Sequence, residues 1–246
     1  MVAQRNKRLN LDYKDKISDY ITSVHEENIL IYPGRTPRIY LSSEQTYAGM
    51  DDSGDPHEEP GVEHLMSDRF NKNMDIAQFI NPGMPVLVDM KTRGGDWHEG
   101  IAIYDRIRKH PTPVTILNLT HARSMSSLIF LAANKRVMMP NSCFMFHEGK
   151  YGDYGELKGV KSRLKFYEKV AEPRMLQIYI DTLKEQGKFK NQSRERIEEM
   201  LFNEMDKKTD VFLTAQEAVE WGFADEIFDG NWDNLTKYTP TQRKRK

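Results

Sequence analysis

The sequence predicts an α/β fold with a largely parallel sheet. Beyond Asn81-Pro82-Gly83, short apolar strands alternate with amphipathic helices, the pattern of right-handed crossover units. With 246 residues the chain is long enough for one large domain or two small ones.

Taken in order, residues 1–20 are polar and charged, with a weak helical pattern in Tyr13, Ile17 and Tyr20. Residues 28–41, N-I-L-I-Y-P-G-R-T-P-R-I-Y-L, read as two short strands around a Pro-Gly turn. Residues 42–62 read as a mobile loop, and 62–79 as a helix. Pro85 to Met90 is the first core strand and K-T-R-G-G its closing turn. His98 to His110 is an amphipathic helix with Ile101, Tyr104 and Ile107 on one face. Val114 to Leu119 is a second strand, leading to a helix that begins at Ser124. Strands follow at Arg136–Met139 and Cys143–His147. A long helical region spans Leu157 to Glu185, and Pro173 inside it is expected to kink or divide it. K-E-Q-G-K-F-K-N-Q-S reads as an exposed linker, followed by a helix from Arg194 to Asn203. Thr214 and Glu217 form a capping box for a short helix ending before Gly222. Phe223–Phe228 is the last strand, and 231–246 reads as a disordered tail.

Composition excludes several function classes. The chain carries 36 basic and 37 acidic residues, which offers a polyanion no net attraction, so nucleic acid is not an expected partner. No apolar run approaches the length of a membrane span. The basic start M-V-A-Q-R-N-K-R is followed by no apolar signal segment, which argues against secretion. Cys143 is the single cysteine, so no internal disulfide is possible and a reducing, cytoplasmic setting is expected. No Cys/His cluster has metal-ligand spacing and no glycine loop has the P-loop pattern, so neither metal nor cofactor is expected.

Four features carry candidate chemistry. Gly94-Gly95 follows the first core strand, where glycine lets a backbone N–H turn toward a ligand; an ordinary strand-to-helix turn is the preferred reading for the glycines alone. Ser124-Met125 lies at the corresponding turn after the next strand. A serine there can cap the helix, the preferred reading for the serine alone, or present a nucleophile beside unpaired N–H groups. His147 ends the apolar strand C-F-M-F-H, where a polar residue is unexpected unless it is a satisfied core histidine. Asp210 precedes V-F-L-T-A-Q-E-A and alone reads as a turn aspartate. Ser126, Ser127, His121 and Cys143 are weaker nearby alternatives.

In combination these segments resemble the proteolytic subunit of the ATP-dependent Clp protease, a serine peptidase of the ClpP/crotonase fold. The resemblance spans residues 85–228. T-R-G-G (92–95) stands where that family has Ser-Pro-Gly-Gly, and A-R-S-M resembles its Ala-Ser-Met. P-N-S-C-F-M-F-H (140–147) follows its P-N-S-x-x-M-x-H, and T-D-V-F-L-T-A-Q-E-A its Phe-Leu-Thr-Ala-x-Glu-Ala run. The resemblance implies an α/β fold of repeated ββα units with a protruding handle helix, here about 150–186. It also implies a division into an N-terminal extension with a mobile loop (1–61), a peptidase domain (62–230) and the tail (231–246).

The resemblance implies Ser124 as nucleophile, His147 as base, Asp210 as its orienting partner, and Gly94, Gly95 and Met125 as oxyanion donors. Polypeptide substrates, a homo-oligomer built as a heptameric ring or stacked rings, and an AAA+ unfoldase partner belong to the same expectation. G-K-Y-G-D-Y-G (149–155) is expected to bind extended substrate by strand addition. The rival readings are an inactive ring subunit and a crotonase-type acyl-CoA enzyme. The chain departs from the family at Arg123 and Ser126 around Ser-Met, and at Lys208-Thr209, where the family has an Asp-Arg pair. Arg123 is expected to influence which side chain is accepted beside the cleaved bond.

Overall fold

A computed structural model describes residues 28–31, 34–42 and 61–245 of the 246. The expectations for residues 1–27 and for the loop at 43–60 lie outside the described residues. The described strands form an eight-stranded sheet. Strand β1 (Ile29–Leu30) pairs antiparallel with β2 (Arg38–Ser42), and β2 runs parallel to β3 (Val86–Thr92). Next to β3 lies β4 (Val114–Arg123), then β5 (Lys135–Met138) and, at the edge, β8 (Glu226–Ile227), all parallel.

Strand β4 is longer than its apolar run because the polar end T-H-A-R continues the ladder. Its first half pairs with β5 and its last three residues with β6 (Cys143–Phe146). Strand β7 (Val211–Thr214) then pairs antiparallel with β6. The sheet therefore forks at the end of β4, and three chain segments converge there.

One face is covered by helices α1 (His64–Ile80), α2 (Trp97–Arg108), α3 (Met125–Leu131) and α5 (Glu172–Glu185), which bury Val88, Met90, Ile116 and Phe144. Several of the methionines fill this core, Met66, Met74, Met90 and Met138 among them. Helices α6 (Arg194–Lys208) and α7 (Ala215–Trp221) complete the fold, α7 carrying the expected Thr214–Glu217 capping box.

The C-terminal stretch corrects the expectation of a disordered tail. Residues Trp232–Thr236 form a 3₁₀ turn and Pro240–Lys244 a short helix, α8. Leu235 is 1% exposed and closes the second face of the sheet over Leu87, Leu117 and Val137. Backbone oxygens of the segment accept bonds from buried strand side chains: Leu235 O from Thr115 Oγ1 at 2.6 Å, and Asn234 O from Lys135 Nζ at 2.7 Å. The polar composition of the segment concealed this, since one apolar side chain and a set of backbone acceptors do the covering. The expected linker at 184–193 is likewise pinned: Phe189 meets the Trp221 ring edge-on at 5.1 Å.

Pro173 divides the long helical region as its chemistry requires. Helix α4 (Leu157–Phe166) passes through a π-helical turn, Tyr167–Ala171, into α5, with Pro173 in the first turn of α5. Proline has no N–H to offer the preceding turn, and the wider turn accommodates the missing bond. Helix α4 buries no residue, whereas α5 buries seven, so the first half of the handle stands off the core.

Candidate active site

The fork in the sheet brings the predicted residues together. Met145 pairs with Arg123 in register, and the Ser124 N–H donates to the Met145 carbonyl at 3.1 Å, which sets the end of β4 beside the end of β6. Phe146 pairs with Val211, so the next residues outward, His147 and Asp210, lie side by side. His147 Nε2 is 2.7 Å from Ser124 Oγ, and its Nδ1 is 3.1 Å from Asp210 Oδ1. The Asp210 carboxylate can only accept from Nδ1–H, which leaves Nε2 as the acceptor facing the serine hydroxyl.

Ser124 does not cap its helix. Its side chain makes no capping bond, and its backbone sits at φ 52°, ψ −126°. A Cβ at positive φ costs about 1–3 kcal/mol, and such residues persist only where the surroundings hold them. The strain aims the hydroxyl away from the helix end and toward His147.

Thr209, beside Asp210, carries the same signature at φ 59°, ψ −67°, closing a γ-turn in which the Asp210 N–H donates to the Lys208 carbonyl at 2.7 Å. This is a strained position for a β-branched residue. Thr209→Gly is expected to stabilise the fold by about 1 kcal/mol, the relieved strain less the added entropy of glycine in the unfolded chain. A thermal melt should read this as a rise of roughly 2–4 °C.

The two glycines have different tasks. At Gly94 (φ 97°) a Cβ would lie 2.5 Å from the Arg123 carbonyl oxygen and 2.7 Å from Ser124 Cβ, so glycine lets β3 end directly against the serine turn. Gly95 lines the cleft beside Ser124. Among the described residues the amides of Gly95 and Met125 meet no protein acceptor, while Gly94 N–H makes a long 3.4 Å contact with Thr92 Oγ1.

Ser124 and His147 open onto a cleft of about 510 Å³. Its apolar wall includes Trp97, Met125, Leu128, Phe166 and Met175, and Phe166 stacks on His98 at 5.7 Å. Residues 149–153 form the other wall without making a strand. That loop is fastened to the handle by Tyr167 Oη–H to the Glu148 carbonyl at 2.9 Å and by a two-point Arg163–Asp153 pair. Arg123 does not line the cleft, contrary to expectation.

Burial pushes the His147 pKa below its ordinary value; the Asp210 charge and hydrogen bond oppose this, and Lys150 adds to it. The imidazole is therefore neutral, and able to accept a proton, at neutral pH. Cys143 is half-buried and burial pushes its thiol pKa up, which suppresses the thiolate.

Ser126 and Ser127, read in the sequence only as weaker alternatives to Ser124, and Tyr179 brace this site. Ser126 Oγ lies 2.6 Å from the Thr92 carbonyl and 2.7 Å from the Arg123 carbonyl, and accepts the Arg123 N–H at 2.9 Å, tying β3 to β4 behind the turn. Ser127 and Tyr179 form a second brace. The available signal was two serines directly ahead of the apolar run L-I-F-L-A-A; the structure buries both fully.

The ends of a largely parallel sheet thus gather a serine, a neutral histidine and an aspartate, the side-chain types of a serine hydrolase triad. Residues 59–231 match the family model for Clp protease, and the chain belongs to that family as a divergent ClpP-like subunit. It is 26% identical over 175 residues to an ATP-dependent Clp protease proteolytic subunit of Deinococcus radiodurans, covering 70% of this chain and 79% of the relative. Proteolytic subunit 1 of Chlamydia abortus is 28% identical over 174 residues, with coverage of 69% and 82%. A point mutant of ClpP1 from Listeria monocytogenes shares the fold with a TM-score of 0.54 at 22% identity, over 71% of this chain and 90% of that one. Among the described residues, no helix is long and apolar enough to cross a membrane.

Proposed function

We propose that this chain is a serine endopeptidase that cleaves extended polypeptides through an acyl-enzyme on Ser124. The observation that carries the proposal is the continuous hydrogen-bonded line from Ser124 Oγ through His147 to Asp210, at 2.7 and 3.1 Å, at the mouth of the cleft. In this reading Ser124 Oγ attacks the peptide carbonyl carbon as its proton passes to His147 Nε2. The tetrahedral oxyanion is held by the free amides of Met125 and Gly95, with Gly94 supplying the close approach. The imidazolium then gives its proton to the leaving amine, and water repeats the sequence on the acyl ester. Asp210 holds the Nδ1–H tautomer and stabilises the imidazolium.

The names of the relatives, proteolytic subunits of an ATP-dependent protease, support polypeptide substrates and an ATP-driven assembly; a homo-oligomeric chamber, an AAA+ unfoldase partner and a cytoplasmic setting belong to the proposal through the family resemblance. Residues 62–230 would form the peptidase domain of each subunit.

The test is fluorophosphonate labelling of the purified protein, read by intact mass and peptide mapping. A single adduct on Ser124, lost in His147→Ala, is the expected result; an unlabelled Ser124 in the assembled protein overturns the proposal. The depressed His147 pKa sets a second expectation. The acid limb of kcat/KM reports the free base, so its midpoint should fall below about pH 6.5. Lys150→Met should move that midpoint upward by removing a neighbouring cation. A pH–rate profile of both proteins checks the value and the sign.

A further inference from the structure

Tyr179 on the handle helix α5 is 1% exposed and has no part in the acyl-transfer steps above. Its ring packs on Phe146, the residue before His147, at 5.7 Å and meets Phe223 edge-on at 5.8 Å. Its hydroxyl lies 2.7 Å from Ser127 Oγ, which in turn lies 2.6 Å from the carbonyl oxygen of Ser124.

The proton directions in this chain are determined. A carbonyl oxygen only accepts, so the Ser127 hydroxyl donates to Ser124. That commits its one proton, and Tyr179 must then donate to Ser127. Burial pushes the phenol pKa far up, against a partial opposing effect of the Ser127 bond, so the donor proton is retained across the working range. The Ser127 N–H converges on the same carbonyl at 2.9 Å. The Ser124 carbonyl is thus gripped by two donors of one residue, and the outer donor is itself held from the handle.

That carbonyl belongs to the peptide unit whose other end is the Met125 N–H. Its plane is set by the strained ψ of Ser124, −126°. Holding the carbonyl therefore fixes two things together: the turn that aims Ser124 Oγ, and the direction of the Met125 amide. We infer that Ser127 and Tyr179 are positioning residues for the reaction, a hydrogen-bonded chain from the handle helix that locks the Ser124–Met125 peptide in its productive orientation. This rests on Ser124 being the nucleophile. Tyr179 also sets its ring against Phe146, so one side chain braces the approach of both Ser124 and His147.

The test compares Ser127→Ala, Tyr179→Phe and the double variant in the full-length, assembled protein. The readouts are the rate of fluorophosphonate labelling at Ser124, kcat and KM on a fluorogenic peptide amide, and Tm. Ser127→Ala is expected to lower kcat and the labelling rate by about tenfold to a hundredfold, the scale of a small misplacement of reacting groups, with KM within about twofold. Tyr179→Phe is expected to lower kcat by about threefold to tenfold through loss of the outer hydrogen bond.

Ser127→Ala strands a buried hydroxyl on Tyr179 and should lower Tm; the double variant removes the stranded group and should recover Tm. The inference requires that kcat of the double variant stay as low as in Ser127→Ala. A kcat that recovers together with Tm shows a merely structural role and overturns it, as do single variants within twofold of the unmodified protein in kcat and labelling rate. Tyr179→Phe retains the ring contacts with Phe146 and Phe223, so it decides the matter if Ser127→Ala fails to assemble. An unmodified protein that is not labelled at Ser124 overturns the acyl-transfer reading and this one with it. Normal labelling with unaffected variants overturns this one alone.

Discussion

Ser124→Ala is expected to lower peptide-bond cleavage by about 10⁴-fold to 10⁶-fold while leaving the fold and assembly intact. The separation of the two effects follows from the contacts of the side chain. Ser124 Oγ makes no capping bond to α3, and among the described residues its one side-chain partner is His147 Nε2. Alanine keeps the Cβ that opposes the positive φ, so the backbone strain at this turn is unchanged and stability should move by no more than about 1 kcal/mol. The bonds that hold the turn itself come from Ser126, Ser127 and the Ser124 N–H, all retained.

His147→Ala should fall nearly as far as Ser124→Ala, and the double variant no further, because nucleophile and base act as one unit. Kinetics on a fluorogenic peptide amide, with the melting temperature measured beside them, check both parts. Full activity in Ser124→Ala would assign the nucleophile elsewhere. Absent activity in the unmodified, assembled protein would instead favour the inactive ring subunit, for which the alignment of Ser124, His147 and Asp210 gives no reason.

The placement of Ser124 and His147 was legible because each stands at the end of a strand that reads clearly by its apolar run; the three roles together came from the family resemblance. Gly94-Gly95, Ser124-Met125 and His147 close β3, β4 and β6, and parallel strands bring such ends to one edge. Asp210 needed the antiparallel register of β6 and β7, which no local pattern announces. The conformation of Ser124 was not legible either: serine before an apolar helix normally caps it, and only the tertiary contacts at the fork force the positive φ.

The role of Ser127 was hidden for a similar reason. Its partner Tyr179 lies 52 positions away and reads in the sequence as one more apolar stripe residue of the handle. The C-terminal segment was misread because its hold on the sheet comes from Leu235 and from backbone oxygens. Their donors, Thr115, Asn134 and Lys135, sit in or beside strands whose burial was not evident in advance.

The same C-terminal segment ends in the largest stability effect expected in the molecule. Asp225 is flanked by two buried guanidinium groups: Arg136, 1% exposed, and Arg245, 6% exposed. Its Oδ1 accepts from Arg136 at 3.1 Å and its Oδ2 from Arg245 at 2.7 Å, and Oδ2 also accepts the Arg136 backbone N–H at 2.8 Å. Gln186 completes the cluster by donating to Oδ1 at 2.7 Å and accepting from Arg245 at 2.9 Å. One carboxylate therefore joins β5, the end of α5 and the chain's last described residue.

Asp225→Ala leaves two cations in the interior with, among the described residues, only the partly exposed Glu185 as counter-charge, and is expected to cost about 3–5 kcal/mol. Replacing all three members by apolar residues of similar size should cost less than the single substitution, since no unpaired charge remains. Chemical denaturation of the two variants tests that ordering; a triple variant less stable than Asp225→Ala would show that the cluster contributes more than charge compensation.

The pH dependence has a definite sign. Burial alone would raise the Asp225 pKa, but Arg136 and Arg245 hold it well below the usual carboxylate range. A depressed folded pKa gives stability that is fully present above the unfolded value of about 3.9 and is lost as pH falls toward the folded one. The advantage of the unmodified protein over Asp225→Asn should therefore be constant near neutrality and shrink below about pH 4. A gap that narrowed instead between pH 6 and 8 would place the controlling charge on another group.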